Sequence, residues 1–145
     1  MSTPYPTSPR WSDINEGDEL PPFDLPLTAS VIVAGAIASR DFMPVHHDRA
    51  FANSQGAPDI FMNILTTNGY VSRFVTDWAG PEAMLEKISI RLGAPACPDD
   101  TMRFTGSVIR SERRGDLGVV EVALQGVNRF GAHVTGTAVL TLPAD

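Results

Sequence analysis

Beyond Pro81 the hydrophobic residues of this chain change period, and that change limits the fold more than any other feature. Ile88, Ile90 and Leu92 alternate with Lys87, Ser89 and Arg91. Met102, Phe104, Gly106 and Val108 form a second run, Val120, Val122 and Leu124 a third, and Val134, Gly136, Ala138, Leu140 and Leu142 a fourth. Successive side chains of a strand point to opposite faces, so each run offers one face to a core and the other to water. Pro98-Asp99-Asp100, Arg114-Gly115-Asp116 and residues 128–131 supply the turns between them. The pattern predicts an antiparallel meander.

Ahead of it stands one long helical stretch, residues 58–78, which Pro58 can open and Gly80-Pro81 must end. Its Ile60, Phe61, Ile64, Leu65, Val71, Phe74, Val75 and Trp78 spread around most of the circumference, which predicts an enclosed helix. An α+β fold follows, a single antiparallel sheet wrapped around one long central helix. Upstream, residues 19–27 are extended but broken by Pro21, Pro22 and Pro26, and so suit an edge strand. Thr28 offers an N-cap to residues 29–39, apolar on nearly all sides and expected to be a short buried helix. Pro44 stops that helix near Asp41, and Asp48 can cap a further turn or two before Gly56. Residues 1–12 read as a flexible lead and residues 13–145 as one domain, with no internal repeat.

Of the 145 residues, 43% are hydrophobic and 19% charged, enough apolar material for a packed core. The formal charge of −6 argues against a nucleic-acid partner, which would call for a basic face. No apolar run reaches the roughly 20 residues of a membrane helix, and the start of the chain has no apolar signal segment. A single cysteine, Cys97, excludes an internal disulfide and suits a reducing cytoplasm; with no base nearby in sequence it reads as structural.

Three histidines are present, His46, His47 and His133. In Asp41-Phe42-Met43-Pro44-Val45-His46 a carboxylate and an imidazole stand five residues apart, with Pro44 stiffening the path between them. A bend of this length can turn both side chains into one small volume, where they can hold a water, deprotonate it and return a proton. On the residues alone, a local ion pair or a hydrogen-bonded loop histidine is the simpler reading. Metal binding is not expected, because His46 and His47 are adjacent and no third ligand has suitable spacing. His47 is expected to be exposed and Asp48 to cap a helix. Arg91, Arg103 and Arg110 lie in strands and receive no role.

The run from Asp41 to Asp48 resembles the hydratase-2 motif of the MaoC-like family, in which Asp, any residue, Asn, Pro, any residue and His precede a further Asp. Asp41, Pro44, His46 and Asp48 match it. Pro26-Leu27-Thr28 before the motif, Pro98-Asp99-Asp100-Thr101 in the family's Pro-Gly-Asp place, and Gly136-Thr137-Ala138 in the last strand extend the likeness over nearly the whole chain. The resemblance implies a hotdog fold with Asp41 and His46 as catalytic groups, without settling which is the base toward water. Two departures stand out. Met43 replaces the motif's Asn, and Asn63-Ile64 stands where the family usually has His-Gly, whose glycine N–H serves the thioester oxygen. The resemblance leaves that task to the Ile64 N–H or the Asn63 side chain, while Asn63 could equally serve only a helix end.

Asp59-Ile60-Phe61-Met62-Asn63-Ile64-Leu65 and Val75-Thr76-Asp77-Trp78-Ala79-Gly80 narrow the resemblance to the small, motif-bearing hydratase subunits of actinobacterial steroid side-chain degradation. It implies hydration of a trans-2-enoyl-CoA to a 3-hydroxyacyl-CoA, with a bulky acyl group. CoA is then part of the substrate and no separate cofactor is expected. The implied partner is a second hotdog subunit, a larger MaoC-like chain in a heterotetramer or otherwise an identical copy, with no membrane or nucleic acid involved and a cytoplasmic location. Two alternatives remain: an acyl-CoA thioesterase using Asp59 or Asp77, and a non-catalytic hotdog subunit that shapes a partner's site.

Overall fold

The computed structural model describes residues 6–145. Strands β1 (Phe23–Leu27), β2 (Met84–Leu92), β3 (Asp100–Arg114), β4 (Leu117–Asn128) and β5 (Gly131–Pro143) form one antiparallel sheet. Helices α1 (Ala29–Ala38) and α2 (Arg49–Ser54) precede the central α3 (Ile64–Ala79). The strand order is β1-β3-β4-β5-β2. β3, β4 and β5 are the expected meander, but β2 does not pair with β3. It crosses to the far side and pairs with β5. Alternation tells which side chains face the core and says nothing of which strand is the neighbour.

β1 is the opposite edge, as its prolines require, with Pro26 opposite Thr101. The sheet turns Met102, Phe104, Val108, Val120, Val122, Leu124, Val134, Ala138, Leu140 and Leu142 inward, all of them buried. Val71, Phe74, Val75 and Ala79 of α3 meet them, at the spacing that puts side chains on one helical face. Phe104 sits between Phe23 and Phe74, each ring centroid 5.9 Å away. Burying a ring of this size contributes roughly 1.5–3 kcal/mol.

Two helix expectations change. α3 begins at Ile64, six residues after Pro58, because residues 57–63 send their backbone donors elsewhere. The Phe61 N–H donates to Val45 and the Met62 N–H to Ala96, while the Asn63 side chain accepts from the Thr66 N–H and caps the helix. Nor is α3 enclosed. One sheet covers one face, and Ile64 (50%) and Leu65 (53%) stay exposed on the other. α1 likewise buries only Ile32 and Ala36 and leaves Ile37 (59%) bare. Thr28 caps it as expected, accepting from the Val31 N–H.

Residues 1–5 of the expected lead lie outside the described residues. The remainder makes contacts: the Ser8 hydroxyl accepts from the Glu82 N–H, Ser12 hydrogen-bonds to Asp145, and Trp11 packs where Gly118 leaves room.

Candidate active site

Asp41 owes its position to the way α1 stops. Arg40 takes the left-handed conformation (φ 57°), and the Asp41 N–H reaches back to the Ala36 carbonyl at 2.9 Å, a six-to-one closure that turns the chain sharply. Met43 is extended, Pro44 opens a single turn of 3-10 helix over Pro44–His46, and that turn swings His46 back toward Asp41. The side chains meet with His46 Nε2 3.2 Å from Asp41 Oδ2. His47, next in line, points to solvent, and Asp48 caps α2 by accepting from the Phe51 N–H.

The other imidazole nitrogen fixes the chemistry of the pair. His46 Nδ1 is 2.6 Å from the Phe61 carbonyl oxygen, which can only accept, so Nδ1 carries the hydrogen. Nε2 is therefore the nitrogen that gains and loses a proton, bare in the neutral ring and donating to Asp41 Oδ2 in the protonated one, and it faces the carboxylate. The Phe61 ring, edge-on at 5.2 Å, holds the imidazole plane.

Asp41 is kept ionised. Hydrogen bonds from the Asn63 side chain and the Met43 N–H hold its carboxyl below the ordinary value of 3.8, against partial desolvation, with His46 adding to the lowering. Met43 contributes only this backbone donor, since its side chain is exposed. Asn63, buried at 2% exposure, does three things at once. Its oxygen caps α3, and its amide nitrogen donates to Asp41 Oδ2 at 3.0 Å and to the Ser39 hydroxyl at 2.9 Å. Both amide hydrogens are thus engaged inside the protein, leaving none for a thioester oxygen. The Ile64 N–H is different: at the first position of α3 it has no acceptor among the described residues.

These groups line a cavity of about 430 Å³ together with Phe61, residues 92–95 and His133. A larger cleft, about 610 Å³, lies around Arg103, Thr105, Gln125 and Thr135, but no histidine lines it. Asp59 and Asp77 are elsewhere. Asp59 is in the extended segment, bound to Arg49 at 2.9 Å, and Asp77 pairs with Arg73 at the far end of α3. Cys97 is buried, which pushes its thiol pKa up. Among the described residues no group of three or more His, Cys, Asp or Glu is placed to hold a metal ion, and no helix is long and apolar enough to cross a membrane.

The sequence reading gave His133 no role. A bulge brings it in: Val134 pairs with Gly126 and Ala132 with Val127, so His133 is an extra residue in β5 and turns inward beside Val134. Nothing in an alternating pattern marks such an insertion.

Residues 16–128 match the model of the MaoC like domain. The chain belongs to the MaoC-like family. The 3-oxo-4,17-pregnadiene-20-carboxyl-CoA hydratase beta subunit of Mycobacterium tuberculosis is a MaoC-like relative 45% identical over 126 residues, 87% of this chain and 95% of that protein. The crystal structure of the ChsH1-ChsH2 complex from the same organism contains a chain that superimposes with a TM-score of 0.83 at 44% identity, over 88% of this chain and 98% of the other. The R-hydratase PhaJ1 from Pseudomonas aeruginosa reaches the same TM-score at 18% identity, over 95% and 88% of the two chains, which shows the shared fold. The wrapped sheet described above is the hotdog of the MaoC-like family.

Proposed function

We propose that this MaoC-like chain hydrates the 2,3 double bond of a trans-2-enoyl-CoA, giving a 3-hydroxyacyl-CoA. The observation that carries this reading is the 3.2 Å approach of His46 Nε2 to Asp41 Oδ2 at the wall of a cavity that Ile64, whose N–H has no acceptor among the described residues, also lines. A water held by both groups gives its proton to Nε2 of His46. Its oxygen bonds to C3 while the π electrons move to C2 and the thioester oxygen takes up negative charge. The Ile64 N–H and the positive end of α3 stabilise that charge. C2 then takes the proton back from His46, so the enzyme ends as it began. Asp41 stays ionised throughout, orienting the water and stabilising the imidazolium. No separate cofactor enters these steps.

The steroid-CoA in the relative's name supports a bulky acyl group, and the ChsH1-ChsH2 complex supports a second hotdog subunit. So does the surface of this chain. Ile37, Phe42 (65%), Ile64 and Leu65 are large apolar side chains exposed to solvent on α1, the motif bend and the start of α3, surface of the kind that a partner covers. We assign the partner as a larger MaoC-like chain in a heterotetramer. A thioester-CoA substrate and the lone buried Cys97 support a cytoplasmic setting. The thioesterase alternative loses its acid, because Asp59 is tied to Arg49 away from the cavity.

The test follows the absorbance of the conjugated thioester, with this chain alone and mixed with a co-expressed MaoC-like partner. Asp41→Asn and His46→Ala should each lower kcat by about 100-fold or more. Full activity in both variants, or release of free CoA thiol in place of hydration, would end the hydratase reading. A partner that hydrates equally fast without this chain would make it the passive half.

A further inference from the structure

Thr67 and His133 are both buried, at 0% and 3% exposure, and neither takes part in the reaction above. Thr67 Oγ1 lies 2.8 Å from His133 Nε2, and His133 Nδ1 lies 2.7 Å from the Ala94 carbonyl oxygen. The carbonyl can only accept, so Nδ1 carries the ring hydrogen and Nε2 is an acceptor. Burial favours this neutral ring. Thr67 has one hydroxyl hydrogen and two acceptors within reach, Nε2 at 2.8 Å and the Asn63 carbonyl at 3.3 Å. The shorter bond goes to the imidazole, and the Thr67 N–H serves the Asn63 carbonyl at 3.1 Å.

Three elements are joined by these contacts. Thr67 belongs to the first turn of α3, which carries Asn63 at its cap and Ile64 at its first position. His133 belongs to the β5 bulge, and Ala94 to the segment that walls the cavity and is itself hydrogen-bonded to β5, Gly93 N–H to the His133 carbonyl and Ala94 N–H to the Ala132 carbonyl. Among the described residues the Thr67–His133 bond is the only hydrogen bond between α3 and the sheet; the rest of the contact is apolar packing and the Arg73 guanidinium over the Phe23 ring, which resist separation better than sliding. A directional bond between buried groups resists sliding, and here it acts one turn from the Asn63–Asp41 contact. An inserted residue that turns a histidine inward next to a site is a recurrent use of β-bulges.

We propose that His133 and Thr67 form a positioning pair, locking the first turn of α3 to the sheet so that the Ile64 N–H and the Asn63 amide are held in register with Asp41 and His46. Thr67 does not line the cavity; His133 does, but with both ring nitrogens engaged by Thr67 and Ala94, so the pair acts through Asn63 and Ile64. The inference rests on the hydratase reading and deepens it.

The experiment uses the complex with its partner subunit and trans-2-octenoyl-CoA as probe. Thr67→Val keeps the shape and removes the hydroxyl hydrogen; Thr67→Ser keeps the hydrogen. Thr67→Val should lower kcat by about 10- to 100-fold, the scale of a small misplacement of reacting groups, with KM within about twofold. Thr67→Ser should restore kcat to within about twofold of the unaltered enzyme. Where the valine variant does not fold, Thr67→Ala takes its place. Nitrogen-15 spectra of the unaltered complex near neutral pH should show His133 with hydrogen on Nδ1 and an acceptor Nε2. A kcat within twofold in Thr67→Val, a loss that Thr67→Ser fails to rescue, or hydrogen on Nε2 of His133 overturns the proposal. Asp41→Asn in the same assay separates the two readings: if it loses activity while Thr67→Val does not, only the positioning role falls, and if it stays active both fall.

Discussion

The side-chain amide of Asn63 donates to Asp41 Oδ2 across 3.0 Å, tying the cap of the central helix to the carboxylate of the motif bend. Two roles meet in one side chain, and a substitution can part them. Serine is as good an N-cap as asparagine but too short to reach Asp41, whereas alanine does neither. Asn63→Ser should therefore cost less stability than Asn63→Ala, by about 1 kcal/mol, since both lose the bonds to Asp41 and Ser39 and only alanine also loses the cap. Both should weaken catalysis. Since the Asn63 hydrogen bond is the largest cause of the lowered Asp41 pKa, both should also raise the pH at which the Asp41 carboxyl takes up a proton, read from its carbon-13 shift. Denaturant unfolding, kcat/KM and a pH series of carbon-13 spectra measure these effects. An unmoved Asp41 carboxyl titration in Asn63→Ser would show that the amide does not tune the carboxylate.

Ile64 offers a way to remove the proposed oxyanion donor with little damage. It is the first residue of α3, where proline is well tolerated. Asn63 before it is already extended (φ −79°, ψ 161°), as a residue preceding proline must be. Its side chain is half exposed, so little packing is lost. Ile64→Pro should leave the melting temperature within a few degrees and lower kcat by about 100- to 1,000-fold. Retained turnover would mean that the thioester oxygen is met by another donor.

His133 should leave a mark on stability as a function of pH. Burial lowers its pKa below the ordinary 6.5, with the hydrogen bond to the Ala94 carbonyl opposing. The unfolded chain takes up a proton near 6.5 that the folded ring refuses. The stability so conferred is complete above that value and is lost as pH falls toward the folded pKa. The denaturant midpoint should drop between about pH 7 and pH 5, and the drop should be shallower in His133→Gln. Parallel curves for the two proteins would show that His133 is charged in the folded state or does not titrate in this range.

The architecture was legible because Phe104, Val122, Leu124 and Ala138 keep strict alternation where they pack on α3, and because Thr28 and Asp48 cap their helices with their own side chains. The Asp41–His46 meeting was legible because proline and five residues leave the bend few ways to close. Three things were not. Pro58 looks like a helix start, but the Phe61 and Met62 donors are claimed by Val45 and Ala96, which are distant in sequence. The crossing of β2 to β5 depends on where residues 93–99 run, which no period encodes. His133 lies on a bulge, which an alternating pattern reads as an outward position.

Gly136 of β5 stands opposite Ile90 of β2. A Cβ there would run into the Ser89 carbonyl and lie 2.8 Å from the Ile90 Cα, both backbone and unable to yield without moving the strand. Gly136→Ala should destabilise by about 1–3 kcal/mol, as overpacking does. It should also lower activity, because β2 runs straight into residues 92–95 at the cavity wall. Gly69 is the opposite case. It sits on the bare face of α3 with nothing within 4 Å of an added Cβ, and glycine inside a helix is about 0.5–1 kcal/mol worse than alanine. Gly69→Ala should therefore raise the stability of the isolated chain by about that amount. In the presence of the partner subunit the same change should weaken association if the partner packs against this face of α3. Thermal melts of the chain alone and size exclusion of the mixture measure the two effects separately. Unchanged association in Gly69→Ala would place the partner on another face of this protein.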